Sequence, residues 1–298
     1  MNNSLFDDIF IWTEAFNCGE ILDPMLGSYL AHNNANINVF GTNEDLQKIS
    51  HESPLIKLNK LDDKINKRIL ANYKNGHWGT AELWTYILTN RPEKYFLHLD
   101  SDTIFLANIT TELAEAVKLK GFSLVGPRRP YFHRPYRKSG LDGKSLDKLP
   151  DVVGTDCFIF DKEFINLRPY RNLKRKIFGK RPFKHPVIDF FDPISFEMIN
   201  KGCRVLYIDS PENGFQGLAN PKSNFHKKMI SFGAVGSGCN FYKNPNVKTS
   251  PGYKSFALSS YSLYCKWLLN KDIGIVPLDA PEIVLKLKKI NQKSWKSE

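Results

Sequence analysis

The sequence predicts an α/β fold: a single domain built on a mainly parallel central sheet flanked by helices, with an irregular C-terminal extension. Two observations carry this. Short apolar runs rich in β-formers alternate with stretches of helical spacing from Ile9 to Val125, the pattern of βαβ units. No Pro/Gly/Ser-rich linker, internal repeat or low-complexity tract divides the 298 residues, a length that buries a sizeable core without disulfides or structural metals.

The elements follow in order. Ile9-Phe10-Ile11-Trp12 is a first strand, ending where the polar pair Thr13-Glu14 begins. Asp23-Pro24 opens a helix, with Asp23 as N-cap and Pro24 at the first helical position. Asn36 to Phe40 is a strand stopped by Gly41, Asn43 to Ile49 a short helix, and Leu55 to Leu58 a third strand. Ile65 to Tyr73 and Thr80 to Thr89 are helical, with Lys74 to Gly79 a loop between them. Tyr95 to Leu99 is a buried strand that runs into Asp100-Ser101-Asp102. Thr111 to Leu119 is a helix and Ser123 to Val125 a strand. Val152 to Phe160 and Arg204 to Ile208 read as strands, and Asp192 to Asn200 as a helix closed by Gly202. Beyond Ser210 the chain is rich in Gly, Asn, Ser and Lys. Residues 1–210 therefore form the core and 211–298 an extension of the same domain.

Composition narrows the class. Apolar residues make up 42% and aromatics 13%, too aromatic for a disordered chain. Five cysteines, an odd number without a CxxC pair, argue against a disulfide framework or zinc knuckle and for a reducing compartment. Met1 to Asp8 lacks the basic residue and apolar stretch of a secretory signal. No apolar run reaches the ~18 residues of a spanning helix. A cytosolic protein is expected. The net charge of +11 implies affinity for anions: nucleic acid, anionic lipid or phosphorylated substrate.

The strongest chemical signal is Leu97-His98-Leu99-Asp100-Ser101-Asp102. Ligands of open α/β sheets bind at the C-terminal strand ends. Side chains at i and i+2 leave a strand on one side, so Asp100 and Asp102 are expected to converge on one hard cation. The bland alternative is an Asx turn ending the strand. At a strand end, Asp102 is also expected to be removable without opening the core.

With Gly79-Thr80-Ala81-Glu82-Leu83-Trp84 upstream and Tyr95 to Thr103 around the aspartates, the stretch from Ile9 to about Ile208 resembles the nucleotide-sugar-dependent glycosyltransferases of the GT-A fold, a Rossmann-like architecture. The resemblance implies Asp102 as a direct ligand of Mn²⁺ or Mg²⁺ held against the donor diphosphate, with Asp100 reaching the ribose, or the metal through water. It implies contacts to base and ribose from the end of the first strand, here Trp12, Thr13 and Glu14, although Trp12 suits a core equally. Gly79 and Thr80, before a helix, are second candidates for the donor; Thr80 also suits a helix cap. Ser101 belongs to the same donor set.

Further implied roles lie downstream. Val153-Gly154-Thr155-Asp156-Cys157-Phe158 resembles the segment that holds the transferred sugar or acceptor, with Asp156 its polar residue; Asp156 also suits a turn. Inverting members carry a carboxylate base before a helix, here Asp189 or Asp192, and Asp192 doubles as an N-cap before Pro193. His226 corresponds to a C-terminal metal ligand or is a surface residue. Gly236-Ser237-Gly238 reads as a lid over the diphosphate or an ordinary flexible loop.

Arg168 to Lys184 holds eight basic residues and no acidic one, Arg128 to Lys138 adds five among aromatics, and Lys286 to Lys296 five more. Such stretches suit an anionic membrane surface or lipid-phosphate acceptor. For 168–184 peripheral membrane contact is expected; the C-terminal lysines read as a solvated tail. The basic stretches also suit nucleic acid, and a basic nucleic-acid-binding module is the alternative reading. It leaves the aspartates unexplained, and no zinc-finger or basic-zipper pattern occurs, so no nucleic-acid partner is expected. The segment after the first strand, Thr13 to Cys18, lacks the Gly-rich, Arg-containing loop of a sugar nucleotidyltransferase. The expected partners are a nucleotide-sugar, UDP-sugar first, and a glycan or lipid-linked acceptor.

Overall fold

The computed structural model describes residues 5–74, 80–129, 152–165, 191–208, 228–232 and 235–243, and eight residues within 254–265. Its elements are β1 (Ile9–Ala15), α1 (Gly19–His32), β2 (Ile37–Gly41), α2 (Asn43–Leu46), β3 (Ile56–Lys60), α3 (Asp63–Lys74), α4 (Thr80–Asn90), β4 (Tyr95–Leu99), β5 (Thr103–Phe105), α5 (Thr110–Lys118), β6 (Leu124–Arg129), β7 (Val152–Val153), β8 (Cys157–Asp161), α6 (Asp192–Asn200), β9 (Val205–Ile208), β10 (Met229–Ser231) and α7 (Val235–Lys243). The fold is α/β, as expected.

The main sheet has the order β3-β2-β1-β4-β8-β6-β7, with β9 also paired to β6. Strands β1 to β4 pair in parallel and β9 is parallel to β6. Strand β8 runs antiparallel to both β4 and β6, and β7 to β6. The sheet is thus mainly parallel, as expected, and mixed on the β8 side.

Both faces of the sheet are covered, which is why its strands read as near-continuous apolar runs. The period of two sorts their side chains. Ile11, Leu97, Leu99 and Ile159 join α1 and α5 in one buried cluster. Phe10, Trp12, Phe96, Phe158 and Phe160 join Trp84 of α4 and Phe191 in the other. Trp84 is the hinge of that second layer, stacked on Phe160 at 6.2 Å and 6° and edge-on to Trp12 at 5.1 Å.

Several local expectations are corrected. Strand β1 continues through Thr13 and Glu14 to Ala15, held by β2 on one side. Helix α1 begins at Gly19, so Asp23 and Pro24 lie inside it. Tertiary capping moves the start. The Asp45 carboxylate, buried on α2, accepts the backbone N–H groups of Asn17, Cys18 and Gly19, satisfying orphan donors of the first turn. Asp23 accepts from Ser50 N and Oγ instead of capping.

The expected strand 152–160 is broken at Gly154-Thr155-Asp156, where the register against β6 slips by three residues. The insertion is a bulge that bends the strand and turns its extra residues out of the ladder. Gly126 faces it; a Cβ there would collide with Val153 and Phe158.

The extension is not irregular where it is described. Strand β10 pairs antiparallel with β5. Met229, Val235, Cys239, Ala257, Tyr261 and Tyr264 are buried in the α1 and α5 cluster. Among the described residues no helix is long and apolar enough to cross a membrane.

Candidate functional site

The strand order reverses between β1 and β4: β2 and β3 lie on one side, β8 and β6 on the other. In open α/β sheets ligands bind outside the carboxyl ends of the strands at such a switch point. The chain that leaves those two ends is Phe16-Asn17-Cys18 after β1 and Asp100-Ser101-Asp102 after β4. Residues singled out by sequence pattern alone therefore stand at that switch point.

Asp100-Ser101-Asp102 is a turn, closed by Thr103 N donating to Asp100 O at 3.3 Å. The expectation of two carboxylates leaving a strand on one side is corrected accordingly, since β4 ends at Leu99. The two carboxylates take different surroundings. Asp100 has a side chain 31% exposed, and its Oδ1 lies 3.8 Å from His98 Nδ1. Asp102 is 4% exposed; its Oδ2 accepts the backbone N–H of Val235 at 3.0 Å, where the N-terminal dipole of α7 favours a negative charge.

The bulge at 154–156 reaches the same place. Asp156 O accepts Asp100 N at 3.0 Å, and Asp156 Oδ1 accepts the hydroxyl of Ser231 on β10. Asp156 thus ties the aspartate turn to the C-terminal strand. Helix α7 closes over the turn: a Cβ built on Gly236 would lie 3.7 Å from Cys18 Sγ and 3.8 Å from Ser101 Oγ. The segment read as a lid or flexible loop is helical from Val235 onward. Its stability is tertiary, from the Asp102 carboxylate at its start and from Gly238, which fits under the Ala257 carbonyl with no room for a side chain.

Behind the turn lies a polar chain inside the aromatic layer. Glu14 Oε1 accepts Trp84 Nε1 at 3.1 Å, and Glu14 Oε2 bonds His98 Nε2 at 3.0 Å. His98 packs between Trp12 and Trp84, ring centroids 5.1 and 4.8 Å away. Trp12 is 0% exposed and Thr13 equally buried. Trp12 has no ring face open to a nucleotide and belongs to the core. Glu14 is turned inward to Trp84 and His98. Thr80 is the first residue of α4 and half-buried.

Three expected site residues, Gly79, Asp189 and His226, lie outside the described residues, as do the basic stretches 168–184 and 286–296 and the side chains of 128–138. Asp192 opens α6, with Phe191 at the cap position and Pro193 in the first turn; its side chain is outside the described residues.

The chemistry open to this site is that of oxygen ligands. Burial, then the charges of Asp156 and Asp100, push the Cys157 thiol well above its ordinary value. Burial, then Asp45 and Glu20, do the same to Cys18. Neither supplies a thiolate nucleophile at neutral pH. The N-terminus of α1 is filled by Asp45 and does not serve a phosphate. Among the described residues no group of three or more His, Cys, Asp or Glu gathers to hold a metal. Asp100 and Asp102 contribute hard oxygen donors of the kind Mg²⁺ and Mn²⁺ take. In donor chemistry they suit such an ion, but Asp102 Oδ2 is already taken by the Val235 N–H and the two carboxylates do not form a complete cage.

His98, Trp84, Asp45 and Ser231 are the residues that sequence reasoning missed. The signal for His98 was its place between two leucines of a buried strand, where a polar side chain needs a partner. No protein-family model matches the chain, and no curated protein is significantly similar to it.

Proposed function

We propose that the chain is a metal-dependent glycosyltransferase that moves a sugar from a nucleoside-diphosphate sugar, UDP-sugar first, to a glycan or lipid-linked acceptor, as in the synthesis of surface polysaccharide or lipopolysaccharide. The observation that carries the reading is the position of Asp100-Ser101-Asp102 at the carboxyl end of β4, beside the point where strand order reverses. Such a switch point is where sheets of this class bind nucleotides.

Asp100 and Asp102 would hold the divalent cation, which supplies charge stabilisation to the departing diphosphate. The chain's own residues do the rest. Ser101 and the bulge residue Asp156 orient donor and acceptor. Asp189, with Asp192 as the alternative, takes the acceptor proton. The basic segment 168–184 holds the protein against an anionic membrane, close to a lipid-linked acceptor.

The test is a melting-temperature screen of the purified chain with UDP, UDP plus Mn²⁺ and an oligonucleotide, followed by a screen for slow hydrolysis of nucleotide-sugars. The expected result is a shift with UDP plus Mn²⁺ that exceeds the shift with either alone, and release of free sugar from one donor. A larger shift with the oligonucleotide, and no donor hydrolysed, would overturn the reading in favour of a nucleic-acid-binding module. Pyrophosphate release from a nucleoside triphosphate and a sugar phosphate would point to a nucleotidyltransferase.

A further inference from the structure

Glu14, expected at the donor, faces the other way. Its carboxylate receives two donors from within the protein, Trp84 Nε1 and His98 Nε2. Both of its partners are buried, and the side chains of Glu14 and His98 are only 9% and 4% exposed. A carboxylate that accepts the Nε2 proton fixes which edge of the imidazole points back at it and leaves the lone pair of Nδ1 on the opposite edge. Nδ1 points at Asp100: it lies 3.8 Å from Oδ1 and makes no hydrogen bond. The ring cannot swing away, because Trp12, Trp84 and Phe158 flank it at 5.1, 4.8 and 5.4 Å. A histidine in the middle of an apolar strand, anchored on one side and aimed at a half-exposed carboxylate on the other, is more than a satisfied core residue.

From this arrangement we infer that Glu14 and His98 are positioning residues that keep the Asp100 carboxylate turned outward, the Nδ1 lone pair holding it off the ring, Glu14 acting on Asp100 through His98. The inference rests on the cation site proposed above. It reassigns Glu14 from contact with the donor to support of the aspartate turn from behind. Groups that support a metal ligand in this way change metal affinity by about 10–100-fold when they are altered.

The experiment is a double-mutant cycle on Mn²⁺ affinity in the presence of UDP, read from the electron paramagnetic resonance of free Mn²⁺. The proteins are the full chain, Glu14→Gln, Asp100→Asn and the double variant. Glutamine is isosteric but offers one acceptor where Trp84 and His98 need two. Glu14→Gln is expected to weaken binding about 10–100-fold in the native background and to have almost no further effect on Asp100→Asn, because an effect relayed through Asp100 is not additive with its loss. The same loss in both backgrounds would overturn the inference, for Glu14 would then touch the ligand itself. Unchanged affinity would overturn it too.

A second measurement separates this inference from the function on which it rests. In the protein without ligands, Glu14→Gln is expected to move the carboxyl ¹³C resonance of Asp100. If the native chain binds no Mn²⁺ with UDP, the proposed function fails, and this resonance alone decides: a shift keeps the linkage from Glu14 to Asp100, and an unmoved signal overturns it. Should Glu14→Gln not fold, His98→Gln takes its place. It retains a donor toward Glu14 and removes the group that faces Asp100, and the same cycle and resonance are read.

Discussion

Asp102 Oδ2 accepts the backbone N–H of Val235 at 3.0 Å across 133 residues of chain. The residue proposed to hold the cation is therefore also the cap of a C-terminal helix. This changes what its removal does. Asp102 was expected to be dispensable for the fold, as a carboxylate at a strand end. It is buried beneath α7, and taking it away leaves a buried N–H without its acceptor.

The first prediction separates the two roles. Asp102→Ala should lower stability by about 1.5–3 kcal/mol, the range of a hydrogen bond to a charged group. Asp102→Asn retains an acceptor for Val235 and should lose much less, yet both variants should lose Mn²⁺-dependent UDP binding. Urea denaturation with titration calorimetry reads both. Equal stability for the alanine variant and the native chain would remove the capping role.

A second prediction concerns pH. Burial alone raises the Glu20 carboxyl, but the hydrogen bond and charge of Lys243 outweigh it and hold Glu20 below its ordinary value of 4.5. Because the folded value is the lower one, the stabilisation is fully present above pH 4.5 and is lost as pH falls through the folded value. Lys243, on α7, is raised by Cys239 and Glu20 against the cost of burial, so its share is present below pH 10.5 and lost as pH rises beyond it. Lys243→Met should therefore cost most near neutral pH and progressively less below pH 4.5. A cost independent of pH between 3 and 7 would show that the pair contributes packing alone.

Gly238 provides a third. A Cβ there meets the carbonyl oxygen and carbon of Ala257 and the side chain of Tyr261, and backbone cannot yield as a flexible side chain can. Gly238→Ala should cost about 1–3 kcal/mol, as overpacking does. Gly236→Ala, two residues earlier, meets only ordinary contacts at 3.7 and 3.8 Å and should stay within about 0.5 kcal/mol of the native chain. The order of the two thermal midpoints is the check.

The fourth concerns the start of α1. The Asp45 carboxylate accepts from three successive backbone N–H groups and from Thr42 Oγ1. Asp45→Ala leaves those donors inside the protein without an acceptor and should cost about 3 kcal/mol. Hydrogen exchange should speed up first at Cys18 and Gly19. Unchanged protection there would mean that water or another group replaces the carboxylate.

Much of this fold was legible in the sequence. The strand Tyr95–Leu99 and the helix Asp192–Asn200 have the expected bounds, because apolar spacing of two or 3.6 residues is set by which face each element buries. So was the placement of Asp100 and Asp102 at a strand end. What periodicity does not encode is contact between distant segments. Helix α1 starts at Gly19, not at Asp23, because a carboxylate 26 residues further along caps it. The strand 152–160 breaks where three extra residues oppose β6.

The candidate site divides in the same way. Local sequence determined that two aspartates follow a buried strand. Only the tertiary structure decided that one faces His98 while the other caps α7, that Glu14 looks inward, and that a glycine-rich stretch is helix. The reason is physical. A short helix carrying two glycines has little stability of its own, and Glu14 has no intrinsic preference for the interior. Each takes its state from partners, Asp102 for α7 and Trp84 with His98 for Glu14, that lie 70 to 133 residues away.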